Sequence, residues 1–315
     1  MSILYLLEKI RNPVLDVVMS LVTKLGEETL FIVLAIVVFW CIDKKGGYFL
    51  ICIGFLGTIL NQFLKVLFRV PRPWVKDPNF TIVESAKEAA TGYSFPSGHT
   101  QSAVGSFGAI ALFFKKKWVR ILSIIVIILV PISRMYLGVH TLLDVGVSFI
   151  ISLALVFAIY PLINKSDEKP YIIPIIMAVG TLIGVVGILF MKLYNFPQNT
   201  DMENVNHGIE SMGKLIGATL GVFIACIVER KYINFETTAS LPVQIVKIAG
   251  GLGITVLIKS LLKTPLNLLL GGALGNLVRY FLIIVFAVIV WPLVFKPLNN
   301  LYDKILVKIK NKNNA

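Results

Sequence analysis

Apolar runs of about twenty residues recur along this chain from end to end, and they restrict its fold more than any other feature. Such a run is the length needed to cross a hydrocarbon layer about 30 Å thick. Inside that layer every backbone N–H and C=O must find a partner within the chain, so only helices and closed barrels cross it. A barrel needs short alternating strands, whereas these runs are long and uniformly apolar. Composition agrees, with 57% hydrophobic and only 15% charged residues, against roughly 25% charged in an ordinary soluble domain. The expected fold is an all-α polytopic transmembrane bundle.

Nine spans are expected, over 28–42, 46–68, 97–114, 119–137, 140–162, 171–194, 208–229, 242–262 and 276–296. Residues 3–24 are apolar but are interrupted by Glu8, Lys9, Arg11, Pro13, Asp16 and Lys24, which reads as an N-terminal interfacial helix. Those charges, with no small-residue cleavage site after them, argue against a cleavable signal peptide. The net charge of +13 does not point to nucleic acid. Its basic residues lie in short loops (Lys44, Lys45, Lys115 to Lys117, Arg120, Lys165, Lys169, Arg230, Lys231) and in the tail from Lys296 to Lys312. With nine alternating spans these fall on one side, which is then cytoplasmic. Cys41, Cys52 and Cys226 all lie in apolar runs without metal-ligand spacing and read as small buried hydrophobes.

Charge inside a membrane is expensive, so the polar residues kept at span ends carry the functional information. They form three clusters: Lys65-x6-Arg72-Pro73, Pro96-Ser97-Gly98-His99, and Ser133-Arg134-x5-His140-x3-Asp144. In the nine-span arrangement all three lie on the side opposite the basic loops. Lys and Arg suit phosphoryl oxygens, one as a point charge and one as a planar fork. Pro71 and Pro73 hold the segment around Arg72 extended. In the second cluster, free N–H groups at a helix start form an anion site. Gly98 lets a ligand approach that backbone, Ser97 can cap the helix or bond a phosphate oxygen, and His99 can carry a proton. In the third, His140 and Asp144 stand four apart, which on a helix puts them on one face. Asp144 would then fix the imidazole tautomer and leave the other nitrogen free to attack.

Taken together, the clusters resemble the type-2 phosphatidic acid phosphatase superfamily, which also includes vanadium haloperoxidases and glucose-6-phosphatase. All three signature motifs are present without a substitution, and the resemblance covers roughly residues 28–162. It implies that Lys65, Arg72 and Arg134 hold the phosphate oxygens, with Ser97 and the Gly98 amide completing the cradle. It further implies that His140 is the nucleophile, Asp144 its orienter, and His99 the acid for the leaving alkoxide and then the base for water. No Asp or Glu cluster with metal-site spacing accompanies the motifs, so catalysis without a metal or other cofactor is expected.

The expected function is hydrolysis of a membrane lipid phosphate or pyrophosphate through a phosphohistidine. Candidate substrates are phosphatidic acid, phosphatidylglycerol phosphate, a sphingoid-type phosphate and undecaprenyl pyrophosphate. A transphosphorylase with the same site and a lipid-phosphate transporter that does not hydrolyse are the alternatives. A haloperoxidase is disfavoured by the spans. Expected partners are a membrane lipid phosphate as substrate and the membrane lipids, with no nucleic acid, and the expected location is the plasma membrane with the site on its extracytoplasmic side. The motifs divide the chain into a catalytic half, 1–165, and a C-terminal half, 166–315, of about four spans. His207 reads as an interfacial residue, and Glu210, Lys214, Lys259 and Lys263 read as cations and anions snorkelling to headgroups. Tyr93, Phe95 and Tyr136 are candidates for a lipid entry or an aromatic belt.

Overall fold

A computed structural model describes residues 1–87, 90–198 and 200–313. Among these there is helix and no strand. The N-terminal region holds α1 (Ser2–Lys9), α2 (Pro13–Lys24) and α3 (Glu28–Val37), the last running on into a π turn at Val38–Ile42. Next come α4 (Lys44–Phe68), the short α5 (Pro73–Lys76), α6 (Gly98–Phe113), α7 (Lys117–Tyr136) and α8 (Leu142–Asn164). The C-terminal half follows with α9 (Ile172–Leu193), α10 (Met202–Val228), α11 (Leu241–Leu261), α12 (Lys263–Leu270), α13 (Gly272–Val285) and α14 (Phe295–Asn313).

Helix starts are written locally. Asn12, Asp43, Ser97, Thr141 and Asp201 each accept a hydrogen bond from a backbone N–H in the first turn of the helix they precede. Pro13 opens α2, where its missing N–H leaves nothing unsatisfied. The single N-terminal interfacial helix expected over 3–24 is therefore two helices, broken where Asn12 caps the second.

Seven helical segments are individually long and apolar enough to cross a membrane, namely those containing α4, α7, α8, α9, α10, α11 and α13. The expected span at 28–42 is joined to α2 instead, as a pair bent by 46° that passes only together. The segment at 97–114 is met by α6, whose 16 residues extend roughly 24 Å at 1.5 Å per residue.

α4 is the hub. It packs against α6, α8, α9 and α10, and so touches both halves of the chain. Outer faces of the surrounding helices stay apolar and exposed, for instance Ile121, Ile124, Ile125, Ile128 and Ile132 on α7 and Leu182, Val186 and Leu189 on α9. A helix that is hydrophobic all round belongs where lipid replaces water.

The tightest seam joins α10 to α13. Gly213, Gly217 and Gly221 recur every four residues along one face of α10. A Cβ on Gly213 or Gly217 would overlap the backbone carbonyl of Ala273 or Leu277 on α13, and one on Gly221 would come within 2.9 Å of the Ile284 Cβ. Small residues at this spacing let two membrane helices meet backbone to backbone. Gly217→Val is expected to destabilise the protein by about 1–3 kcal/mol through overpacking, seen as a lower unfolding midpoint in detergent. Gly253→Ala, where an added Cβ meets nothing within 4 Å, is expected to leave the midpoint unchanged or raise it.

Candidate active site

The loop between α4 and α6 wraps around the first cluster. Arg72 has extended backbone (φ −64°, ψ 156°), as its flanking prolines require. The residue is 7% exposed, and its guanidinium donates to three carbonyls: Nε to Gly92 O at 3.1 Å, Nη2 to Thr91 O at 2.7 Å and Nη1 to Val139 O at 3.0 Å. Lys65 Nζ donates to Tyr93 O at 2.6 Å. Three successive carbonyls, those of Thr91, Gly92 and Tyr93, thus face two cations. Gly92 makes this possible with φ +68°, a conformation L side chains rarely adopt.

The third cation is held from the N-terminal region. Arg134 Nη1 donates to Thr23 Oγ1 at 2.9 Å, and its buried Nε has no protein partner. Arg11 braces the same turn by donating to Tyr136 O at 2.9 Å, and the Tyr136 hydroxyl donates to Asp16. Tyr136 is therefore a fully buried strut and not part of a lipid entry.

His140 lies in the connection before α8, not on the helix, because Thr141 caps it. The capping box draws the Asp144 carboxylate onto the Thr141 N–H at 2.7 Å. This leaves Asp144 Oδ2 3.6 Å from His140 Nδ1, beyond hydrogen-bond length. The direct bond expected between the two is replaced by Ser94. Its hydroxyl donates to Asp144 Oδ2 at 2.6 Å and stands 3.4 Å from His140 Nδ1. On the other side of the ring, Arg72 Nη1 lies 3.0 Å from Nε2. A guanidinium can only donate, so Nε2 accepts and Nδ1 carries the proton. Burial, and next the adjoining guanidinium of Arg72, hold the His140 pKa well below the usual imidazole value. The contact with Arg72 likewise requires Nε2 to be unprotonated, which leaves its lone pair facing the cavity.

A cavity of about 320 Å³ gathers these groups, lined by Lys65, Arg72, Gly98, His99, Arg134 and His140. Ser97 and Asp144 do not line it. The fully buried Ser97 hydroxyl caps α6 by accepting from Thr100 N at 3.4 Å, and Ser97 N donates to the carbonyl of Asp144. The Gly98 side of the helix start is open, since a Cβ added there would meet only Asn61 Oδ1, at 3.8 Å.

Three further residues on this wall come from the C-terminal half: His207, Ser211 and Lys214. They stand four and three apart on α10, one helix face. His207 and Lys214 thus line the cavity, a position the sequence reading did not give them, with His207 still exposed at the start of α10. Their helical spacing was the available signal, but only packing shows which helix that face meets. Ser94, likewise absent from any motif, belongs to a loop whose path the sequence leaves open.

The relay through Ser94 is testable. Ser94→Ala is expected to lower turnover about tenfold to a hundredfold, the loss of one hydrogen bond to a charged group. The unfolding midpoint in detergent is expected to hold, since Thr141 still caps Asp144.

Comparison with known proteins bears on the same residues. A family model described as the PAP2 superfamily matches residues 46–168. A second, described as PAP2 superfamily phosphatase, transmembrane extension, matches residues 213–304. The chain is 30% identical over 173 residues to phosphatidylglycerophosphatase B of Bacillus subtilis, an alignment covering 51% of this chain and 79% of that protein. It is 30% identical over 169 residues to sphingosine-1-phosphate phosphatase 1 of Mus musculus, covering 51% of this chain and 38% of that protein. With undecaprenyl-diphosphatase of Sulfolobus acidocaldarius it shares 33% identity over 134 residues, 42% of this chain and 62% of that one. No solved structure matches. The three motifs that converge on the cavity all fall inside the first matched region, and the chain belongs to the PAP2 superfamily.

Proposed function

We propose that this integral membrane protein is a lipid-phosphate phosphatase acting through a phosphohistidine at His140. The observation that carries the reading is the convergence of Lys65, Arg72, Arg134, His99 and a tautomerically fixed His140 on one cavity. The named relatives act, by name, on phosphatidylglycerol phosphate, sphingosine-1-phosphate and undecaprenyl diphosphate, all long-chain lipids ending in phosphate.

An incoming phosphate takes donors from Arg72 and Arg134 and frees His140 Nε2. Its lone pair forms the N–P bond as the P–O bond to the lipid breaks. The bound phosphate anion offsets the neighbouring cations and favours a charged His99, which gives its proton to the leaving alkoxide, while the cations hold the charge spread over the equatorial oxygens. The Nδ1 proton stays on His140, directed at Ser94, while Asp144 behind it stabilises the positive ring. In the second step His99, now neutral, accepts a proton from water, whose oxygen attacks phosphorus and releases His140. Every group the two steps need is a side chain of this chain.

His140→Ala is expected to abolish turnover and to abolish acid-labile, base-stable phosphate label on the protein during turnover. Wild-type turnover is expected to survive a chelator. Label that persists in His140→Ala would assign the nucleophile elsewhere.

The site faces the extracytoplasmic side in this reading, because the basic loops lie at the opposite ends of the spans. In a cysteine-free background, a cysteine at exposed Asn79 is expected to react with an impermeant reagent in intact cells. One at exposed Lys116 is expected to react only after permeabilisation. The reverse pattern would turn the site to the cytoplasm.

A further inference from the structure

The phosphate cavity holds one cation more than the motifs supply, and it comes from the C-terminal half. Lys65, Arg72 and Arg134 surround His99 and His140, and both rings lie in their field. Lys214 enters the same wall from α10, within the region matched as the transmembrane extension. It stands in a different field, that of Glu28, Glu210, Lys259 and Arg279. His207, two turns earlier on the same helix face, feels both Lys65 and Lys214. Ser211, between them on that face, adds a hydroxyl to the wall.

Lys214 is half-buried, and among the described residues it makes no ion pair and no side-chain hydrogen bond. Lysines at the other end of the bundle are neutralised, Lys44 by Glu229 at 3.0 Å and Lys45 by Asp167 at 2.7 Å. An unpaired cation inside a membrane bundle is costly and marks a binding function. The nearby carboxylates are engaged elsewhere. Glu28, which also lines the cavity, is exposed in the first turn of α3, where the helix dipole accommodates its charge. Glu210 Oε1 lies against the start of α13, 2.7 Å from the position a Cβ on Gly272 would take. Size agrees with a second anion. At about 30 Å³ per water, the cavity of about 320 Å³ has room for roughly ten such groups, about twice what one phosphorus and its oxygens fill.

We infer that Lys214, with Ser211 beside it, is a second phosphate seat, and that through it the enzyme selects lipids whose head carries two phosphates over lipids whose head carries one. The inference rests on the phosphatase reading above. The terminal phosphate sits at His140 and is transferred to Nε2. The electron pair of the broken P–O bond leaves with the lipid, whose remaining phosphate stays at Lys214. Two kinds of head have this chemistry: a diphosphate, and a phosphomonoester joined through a short polyol to a phosphodiester. A single phosphate on a hydrocarbon chain leaves Lys214 without an anion.

The test uses two pairs of substrates, each pair with one tail: an alkyl diphosphate against an alkyl phosphate, and a lysophosphatidylglycerol phosphate against a lysophosphatidic acid. In each pair the ratio of kcat/KM for the two-phosphate member to that for the one-phosphate member is read. The wild-type ratio is expected to exceed one in at least one pair, and the pair that responds identifies the head. Lys214→Met is expected to lower that ratio about tenfold to a hundredfold, the loss of one hydrogen bond to a charged group. Lys214→Arg is expected to keep most of it. Reading the ratio within each variant cancels any general loss of folding. A ratio unchanged by Lys214→Met overturns the inference, and so does a wild type that prefers the one-phosphate member in both pairs. Should Lys214→Met not fold, Ser211→Ala decides in its place, with an expected fall of about threefold to tenfold. A wild-type protein inactive on all four substrates overturns the phosphatase reading instead. The seat is then decided by calorimetry with inorganic pyrophosphate and inorganic phosphate. Pyrophosphate bound more tightly by the wild type, with the margin reduced tenfold or more in Lys214→Met, supports the inference. An equal margin in both proteins, or no binding, overturns it.

Discussion

Three cations sit in the interior of a membrane bundle with no carboxylate within ion-pair distance among the described residues, and the site is arranged around holding them there. Unpaired charge in a low-dielectric interior is strongly unfavourable. A carboxylate beside each would cancel it, but would also fill the place a phosphate must take. The protein uses carbonyl dipoles and one hydroxyl instead. Thr91, Gly92, Tyr93 and Val139 orient Arg72 and Lys65 without cancelling their charge, and Thr23 does the same for Arg134. The cavity therefore keeps a net positive charge and favours an anion of high charge density over a neutral lipid head.

That arrangement explains the course of the chain between the first two motifs. The loop from 69 to 97 is long because it must double back to present the carbonyls of Thr91 and Gly92 to its own Arg72 and that of Tyr93 to Lys65 on α4. It also delivers Ser94 between Asp144 and His140. The N-terminal helices serve the same end from the opposite side, since α2 carries Thr23 to Arg134. A segment that reads as a surface anchor is a structural support of the cavity that Arg134 lines.

Sequence reasoning located the cations and both histidines because each belongs to a short pattern with its own local chemistry. Helix starts were legible for the same reason, since a cap and the N–H it serves are three residues apart. What was not legible depends on contacts between distant parts of the chain. Asp144 looked like a direct partner of His140 by spacing, yet the capping box at Thr141 draws it aside and Ser94 fills the gap. Lys214 and His207 looked like ordinary interfacial groups, because nothing on α10 says that its polar face meets the phosphate cavity. The glycine repeat on α10 was readable as a helix-packing pattern, but its partner, α13, was not. Span counting was limited by α6, too short to stand alone, and by the bend between α2 and α3, which divides one apolar stretch into two directions.

The glycine seam also bears on how the protein comes into being. Helices enter the membrane in chain order, so α4 and α10 arrive well before α13. Until α13 is inserted, the face of α10 with Gly213, Gly217 and Gly221 has only lipid or a temporary neighbour against it, and α10 lacks the backbone contact that fixes its rotation. α4 and α9 already hold other faces of α10 by then, and the docking of α13 completes the enclosure of that helix. A nascent chain holding all three motifs but ending before α13 thus still lacks one partner of the helix that carries the third wall of the cavity, and the glycine seam closes late in synthesis.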